Sequence, residues 1–120
     1  MALVNMGKML NQARDGGYAV GAFNILDYNS MKAVVETAVE TGSPVILQTS
    51  VKTIFFWGYR PIVAWAEELA GKLDIPVAIH LDHCQDLQVI RKCIETGWTS
   101  VMIDASSRPF EENLRMTSEV

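Results

Sequence analysis

The chain has 120 residues, a formal net charge of −4, 49% apolar side chains and 20% charged ones. That is an ordinary composition for one globular domain with a core, and the acidic balance argues against a broad nucleic-acid surface, which needs a basic face. Two cysteines, Cys84 and Cys93, are too few for a disulfide framework and are expected reduced, in cytoplasm. No apolar run approaches the ~20 residues that span a bilayer. The N-terminus lacks a basic segment followed by a long apolar run, so neither a membrane partner nor a signal peptide is expected.

Leu3, Met6, Met9, Leu10 and Ala13 recur at helical spacing and predict an opening helix closed by Gly16-Gly17. Residues 18–24 form a short apolar run with small side chains, read as the first strand. Asn29-Ser30 offers a helix N-cap, and Met31, Val34, Val35, Ala38 and Val39 follow on one helical face. Gly42 suits the left-handed position after that helix. Residues 45–50 are the second strand, apolar and then polar at its end. Residues 51–60 read as a longer connection rich in aromatics, in which Phe55, Phe56, Trp57 and Tyr59 could stack a ligand but are read as packing a loop onto the helices. Pro61 suits a first helical turn, and Ile62, Trp65, Ala66, Leu69, Ala70 and Leu73 make the next apolar stripe.

The third strand, residues 77–84, is where hydrocarbon gives way to chemistry. It is apolar enough to be buried on both faces, yet it ends in Asp82-His83-Cys84. Asp86 can cap the following helix, whose inward face is Val89, Ile90, Cys93 and Ile94, with Gly97 at its close. Residues 100–104 are the fourth strand, ending in another carboxylate. Pro109 to Asn113 opens a last helix with acids in its first turn, favourable against the helix dipole.

Strands therefore recur at intervals of roughly 25 to 30 residues, the length of one strand–helix unit. Four such units with polar strand ends indicate the parallel α/β class, whose ligands gather at the carboxyl ends of the strands. A doubly wound sheet explains the alternation as well as a (β/α)8 barrel does. A complete barrel needs about 250 residues, so this chain would be half of one.

Asp82 and His83 are the leading candidates for chemistry. A carboxyl at a barrel mouth can exchange protons with a substrate hydroxyl. An imidazole beside it can bind a divalent metal or move protons. The plain alternative is a helix cap beside a wetted surface histidine. His80 lies three residues before His83, an odd separation that puts the two on opposite faces of a regular strand. That makes them poor joint ligands and His80 a core histidine or one that supports a ligand from behind. Asp104 could assist a metal or be a turn residue. Asn24 and Ser50 end the first two strands and could each hydrogen-bond a polar ligand. Cys84 is read as a passive small side chain, since nothing in its neighbourhood points to a depressed thiol pKa.

The chain resembles class II, metal-dependent ketose-bisphosphate aldolases, the family of fructose- and tagatose-bisphosphate aldolases. The matching segments are Gly21-Ala-Phe-Asn24, Ser43-Pro-Val-Ile-Leu-Gln-Thr-Ser50, Pro76-Val-Ala-Ile-His-Leu-Asp-His83 and Gly97-Trp-Thr-Ser-Val-Met-Ile-Asp104, with Pro109-Phe-Glu-Glu-Asn113. They run in order along essentially the whole chain. The resemblance implies the first four βα units of a (β/α)8 barrel, a single incomplete domain over residues 1–120. It implies cleavage of a phosphorylated ketose, with Asp82 as acid/base at the C4 hydroxyl and His83 as one of three histidine ligands to zinc. Asp104 would lie near a second divalent or monovalent cation, and Asn24 and Ser50 would touch substrate. Two departures stand out: Cys84 where many members carry Gly, and Ala105 and Ser107 in the loop after Asp104. The other zinc histidines and the phosphate loops would lie in a later half, so this chain alone is expected to be inactive. The alternative is a non-catalytic half-barrel that self-assembles as a homo-oligomer through its open sheet.

Overall fold

The computed structural model of the chain describes residues 3–120. Their elements follow in the order α1 (Met6–Gly16), β1 (Gly21–Asn24), α2 (Tyr28–Glu40), β2 (Val45–Thr49), α3 (Val51–Trp57), α4 (Tyr59–Ala70), β3 (Val77–Cys84), α5 (Leu87–Thr96), β4 (Ser100–Ile103) and α6 (Phe110–Glu119). The four strands form one parallel sheet in the order β1-β2-β3-β4. All four carboxyl ends therefore lie on one rim.

The two faces of the sheet carry different residues because strand side chains alternate. Val45, Leu47, Val77, Ile79 and Leu81 face the helices and join Met31, Val35, Ile54, Ile62, Ala66 and Ile90 in the main core. Leu47, Ile79 and Leu81 are fully buried, each contributing about 1.5–3 kcal/mol from lost apolar exposure. Ile46 and Ala78 point the other way, where Met9 of α1 packs on them. α1 thus covers the opposite face of the sheet near the amino ends of the strands. β1 is exposed at every position and, among the described residues, pairs with β2 alone.

The helix ends follow local chemistry. Gly17, Gly42 and Gly97 take the left-handed conformation after α1, α2 and α5, and Asp86 caps α5 through the Gln88 amide. The cap of α2 is Asp27 rather than Asn29-Ser30: the Asp27 carboxylate accepts from the Ser30 N–H at 2.7 Å, while the Ser30 hydroxyl accepts from the Asp27 N–H at 3.0 Å. The aromatic connection after β2 is a helix, not a loop. Ser50 caps it and Gly58, at φ 91°, ends it. Phe55 and Phe56 stay exposed, while the Trp57 ring packs edge-on to Trp65 and its indole N–H donates to the Leu26 carbonyl.

Candidate active site

The register of the sheet sorts the inner face into rows. Ala22, Ile46 and Ala78 are partners in one row, apolar across β1, β2 and β3. Two residues nearer the rim, Asn24, Gln48, His80 and Ser100 are partners across all four strands, and every one is polar. The His80 Nδ1 and the Ser100 hydroxyl are 2.7 Å apart. Gln48 Nε2 lies 3.4 Å from Asn24 Oδ1 and donates to Asp82 Oδ2 at 2.8 Å. A half-buried polar group is costly without a partner; His80 finds one in Ser100, and Gln48 in Asp82 and Asn24.

Asp82 sits two residues beyond His80 and keeps the inner face. Strict alternation would send His83 to the helix side. It does not, because β3 carries a bulge against β4: Leu81 pairs with Val101, but Cys84 pairs with Ile103. His83 absorbs the extra residue at φ 50°, the one left-handed non-glycine backbone among the described residues. Its Nδ1 lies 3.0 Å from Asp104 Oδ2 and its Nε2 3.8 Å from Asp82 Oδ2. The expected separation of His80 and His83 onto opposite faces is therefore broken by the bulge. Leu81 and Cys84 on either side of it remain in the main core.

Charges at the rim support one another. The Asp104 carboxyl is held down at about 2 by the Ser106 hydroxyl at 2.6 Å, by His83, and by the Ser106 N–H. A carboxylate can only accept, so His83 Nδ1 carries the hydrogen of that bond and Nε2 is left with its lone pair in the neutral ring. The bond to Asp104, and then the Asp82 charge, push the His83 imidazole above its ordinary value. Burial pushes His80 below its own, against the pull of Asp82. The His83 side chain is 73% exposed, against 21% for Asp82 and 14% for Asp104, so the imidazole is the most accessible of the three.

Of the residues singled out from sequence, the structure brings Asp82 and Asp104 each within reach of His83 and ties Asn24 to Asp82 through Gln48. Ser50 is not part of this network. It is exposed, and its hydroxyl accepts from the Thr53 N–H at 3.3 Å and pairs with the Thr53 hydroxyl. Cys84 and Cys93 are buried free thiols, Cys93 pushed up to about 12 by burial and Cys84 raised in the same direction, which fits a passive role. Sequence reasoning missed Gln48, Ser100 and Ser106. Gln48 alone left a signal, as an amide inside an apolar strand.

The donor chemistry fits one corner of a zinc site. An accessible imidazole nitrogen whose other nitrogen is anchored on a carboxylate is the usual form of a histidine ligand. Among the described residues no group of three or more His, Cys, Asp and Glu side chains is close enough to hold a metal, and a catalytic zinc takes three protein ligands. No helix among them is long and apolar enough to cross a membrane.

Comparison with known proteins gives this rim a family. The family model for "Fructose-bisphosphate aldolase class-II" matches residues 4–120. The chain is 45% identical to a probable fructose-bisphosphate aldolase of Bacillus subtilis, all of the chain against 43% of that relative. It is 44% identical to a D-tagatose-1,6-bisphosphate aldolase subunit of Klebsiella oxytoca, covering 42% of it. A 6-phospho-5-dehydro-2-deoxy-D-gluconate aldolase of Halalkalibacterium halodurans is 41% identical, with 43% of its length covered. Among solved structures, the YdjI aldolase of Escherichia coli K12 superposes with a TM-score of 0.90 at 30% identity, over 98% of this chain and 45% of that one. A fructose-1,6-bisphosphate aldolase homologue of Coccidioides immitis gives 0.86 at 27% identity, over 93% and 44%. The chain spans less than half the length of these relatives, and its parallel sheet corresponds to part of their (β/α)8 barrel. With the match extending from residue 4 to residue 120, the chain belongs to the class II fructose-bisphosphate aldolase family.

Proposed function

We propose that this chain supplies the acid/base and one metal-binding corner of a zinc-dependent ketose-bisphosphate aldolase. The reaction would be reversible aldol cleavage of fructose 1,6-bisphosphate or tagatose 1,6-bisphosphate to glycerone phosphate and glyceraldehyde 3-phosphate. One observation carries the reading: the bulge in β3 sets Asp82 and His83, neighbours in sequence, side by side at one rim, with His83 also within reach of Asp104.

Asp82 would take the proton from the C4 hydroxyl as the carbon–carbon bond breaks and return it in the reverse direction. His83 would present Nε2 as a metal ligand, its ring held by Asp104 through Nδ1. Zinc, when bound, would polarise the substrate ketone as a Lewis acid. The other ligands it requires would come from the rest of a complete barrel, so the chain alone is expected to be inactive. Asp104 would face an outer divalent or monovalent cation by releasing one of its present partners, His83 or Ser106. Asn24 would donate to substrate oxygens, and Ser50 would do so by turning its hydroxyl from Thr53. Reduced, buried thiols and a phosphorylated substrate fit a cytoplasmic enzyme.

The test is aldol cleavage by a complete barrel containing this chain, with Asp82→Ala. General acid/base groups contribute ~10²–10⁴-fold, and a loss of that size is expected; turnover within a few-fold of the parent would remove Asp82 from the chemistry.

A second reading, a half-barrel that assembles with its own copies, is favoured by the exposed β1 and by an apolar groove of about 480 Å³ beside it, walled by Tyr18, Phe23, Val34, Ala38, Pro44 and Val45. Light scattering that finds a stable monomer at micromolar concentration would exclude it.

A further inference from the structure

We infer that Gln48 is the positioning residue of this rim, a relay whose amide holds Asp82 and Asn24 together and fixes which atoms of each are left for a ligand. The inference deepens the aldolase reading and rests on it for the roles of Asp82 and Asn24. Its geometric basis is independent of that reading. Gln48 Nε2 donates to Asp82 Oδ2 at 2.8 Å and lies 3.4 Å from Asn24 Oδ1. An amide nitrogen carries two hydrogens, so one atom serves both oxygens.

The orientation follows in two steps. The Asp82 carboxylate can only accept, so the Gln48 amide must present Nε2; the flipped amide would set Oε1 against a carboxylate oxygen. With Nε2 so placed, its second hydrogen faces Asn24, and Asn24 must answer with Oδ1. Asn24 is exposed, and its Nδ2 hydrogens are then the groups turned to a ligand. Asp82 keeps Oδ1 for proton exchange while Oδ2 is held. The rim so ordered suits a ligand that brings acceptor oxygens to Asn24 and a hydroxyl to Asp82, as a phosphorylated polyhydroxy ketone does. Gln48 is half-buried in mid-sheet between its register partners Asn24 and His80. A relay on a strand is better fixed than one on a loop. A glutamate of equal length could not serve, since it has no hydrogens to give and would repel Asp82.

The experiment reads the side-chain amide resonances of the ¹⁵N-labelled 120-residue chain in wild type, Asp82→Asn, Gln48→Met and the double variant. Gln48 Nε2 hydrogens should exchange with solvent about 2- to 10-fold more slowly than those of exposed Gln12 and Gln85, the factor a net hydrogen bond sets. Asp82→Asn should move the Gln48 resonances and also those of Asn24, whose bond is to Gln48. In the Gln48→Met background Asp82→Asn should no longer move Asn24. A Gln48 amide that exchanges as fast as Gln12, or an Asn24 amide indifferent to Asp82→Asn in the wild-type background, overturns the relay. The dispersion of the backbone amide spectrum reports folding. Should Gln48→Met lose it, the comparison of wild type with Asp82→Asn decides alone. None of these readouts involves turnover, so a failed aldolase assay and a failed relay are separate results.

Discussion

Thr49→Val tests whether the sheet beneath the rim is held by side-chain bonds as well as by hydrocarbon. Thr49 is fully buried on the helix side of β2. Its hydroxyl accepts from the Trp98 indole N–H at 3.3 Å and donates to the His80 carbonyl at 3.4 Å. Valine reproduces its shape and neither bond. The carbonyl has two lone pairs and loses little, but the indole N–H of Trp98, a residue only 5% exposed, is stranded. A buried unsatisfied donor costs about 1–3 kcal/mol. Both bonds are long, which puts the expected loss in the lower half, about 1–2 kcal/mol, or a fall in Tm of about 4–10 °C for a chain of this size. Urea unfolding followed by circular dichroism and tryptophan fluorescence measures it. In a Trp98→Phe background no donor is stranded, and Thr49→Val should cost about 0.5–1.5 kcal/mol less. A valine variant as stable as the parent, or one whose cost is the same in both backgrounds, would refute the assignment.

Two further outcomes follow from the geometry. His83 is raised from its ordinary value of 6.5 by Asp104 and Asp82, so its contribution to stability is fully present below that pH and is lost as pH rises through the raised folded value. Asp104 is depressed from 3.8 to about 2, so its contribution is present above 3.8 and is lost as pH falls towards 2. In Asp104→Asn the His83 midpoint, read from its ring proton resonances, should drop towards 6.5; an unmoved midpoint would dissolve the pair. Gly97→Ala should destabilise the chain by about 1 kcal/mol or more, since φ is 111° and the new Cβ would lie 3.2 Å from Val63 Cγ1. Gly97→Asn, which tolerates left-handed backbone better, should lose less in the same denaturation assay. Equal losses would mean that crowding against Val63 outweighs the backbone term.

What the sequence disclosed and what it hid differ by the range of the interaction. β3 was legible from residue 77 to residue 84 because an unbroken apolar run bounded by Pro76 and a polar end has few other readings. Gly42, Gly97 and Asp86 were legible because caps depend on a few adjacent residues. α3 was not, since Ile54 and Thr53 are its buried residues while Phe55 and Phe56 face outward, and so many exposed aromatics obscure an amphipathic pattern. The α2 cap was misplaced because Asp27 and Ser30 act as a pair, whereas Asn29-Ser30 is the more conspicuous dipeptide. At the rim, the residue types Asp82, His83 and Asp104 could be picked out as strand-end polar groups. The pairings among them and with their partners could not. Gln48 finds Asp82 34 positions along the chain and His80 finds Ser100 20 positions along, and those pairings exist only once the register of the sheet is set.

The same register explains why Asp82 and His83 need a defect to share one side of the sheet. On an unbroken strand adjacent residues face opposite sides, and a carboxyl and an imidazole side by side in sequence could not serve one ligand. β3 resolves this by spending three steps, Leu81 to Cys84, where β4 spends two, Val101 to Ile103. The surplus residue is His83, and its positive φ turns the ring back to the side of Asp82. Leu81, fully buried, fixes the strand before the bulge, while Cys84, also fully buried, fixes it after, with its carbonyl accepting from the Asp104 N–H at 2.7 Å. That last bond also sets the backbone of Asp104, whose carboxylate in turn holds the His83 ring. The bulge cannot be removed by a deletion without losing one of the two groups, since only Asp82 and His83 lie between Leu81 and Cys84. The distortion is thus the part of β3 that hydrophobic packing would not choose, and the part on which the candidate site depends.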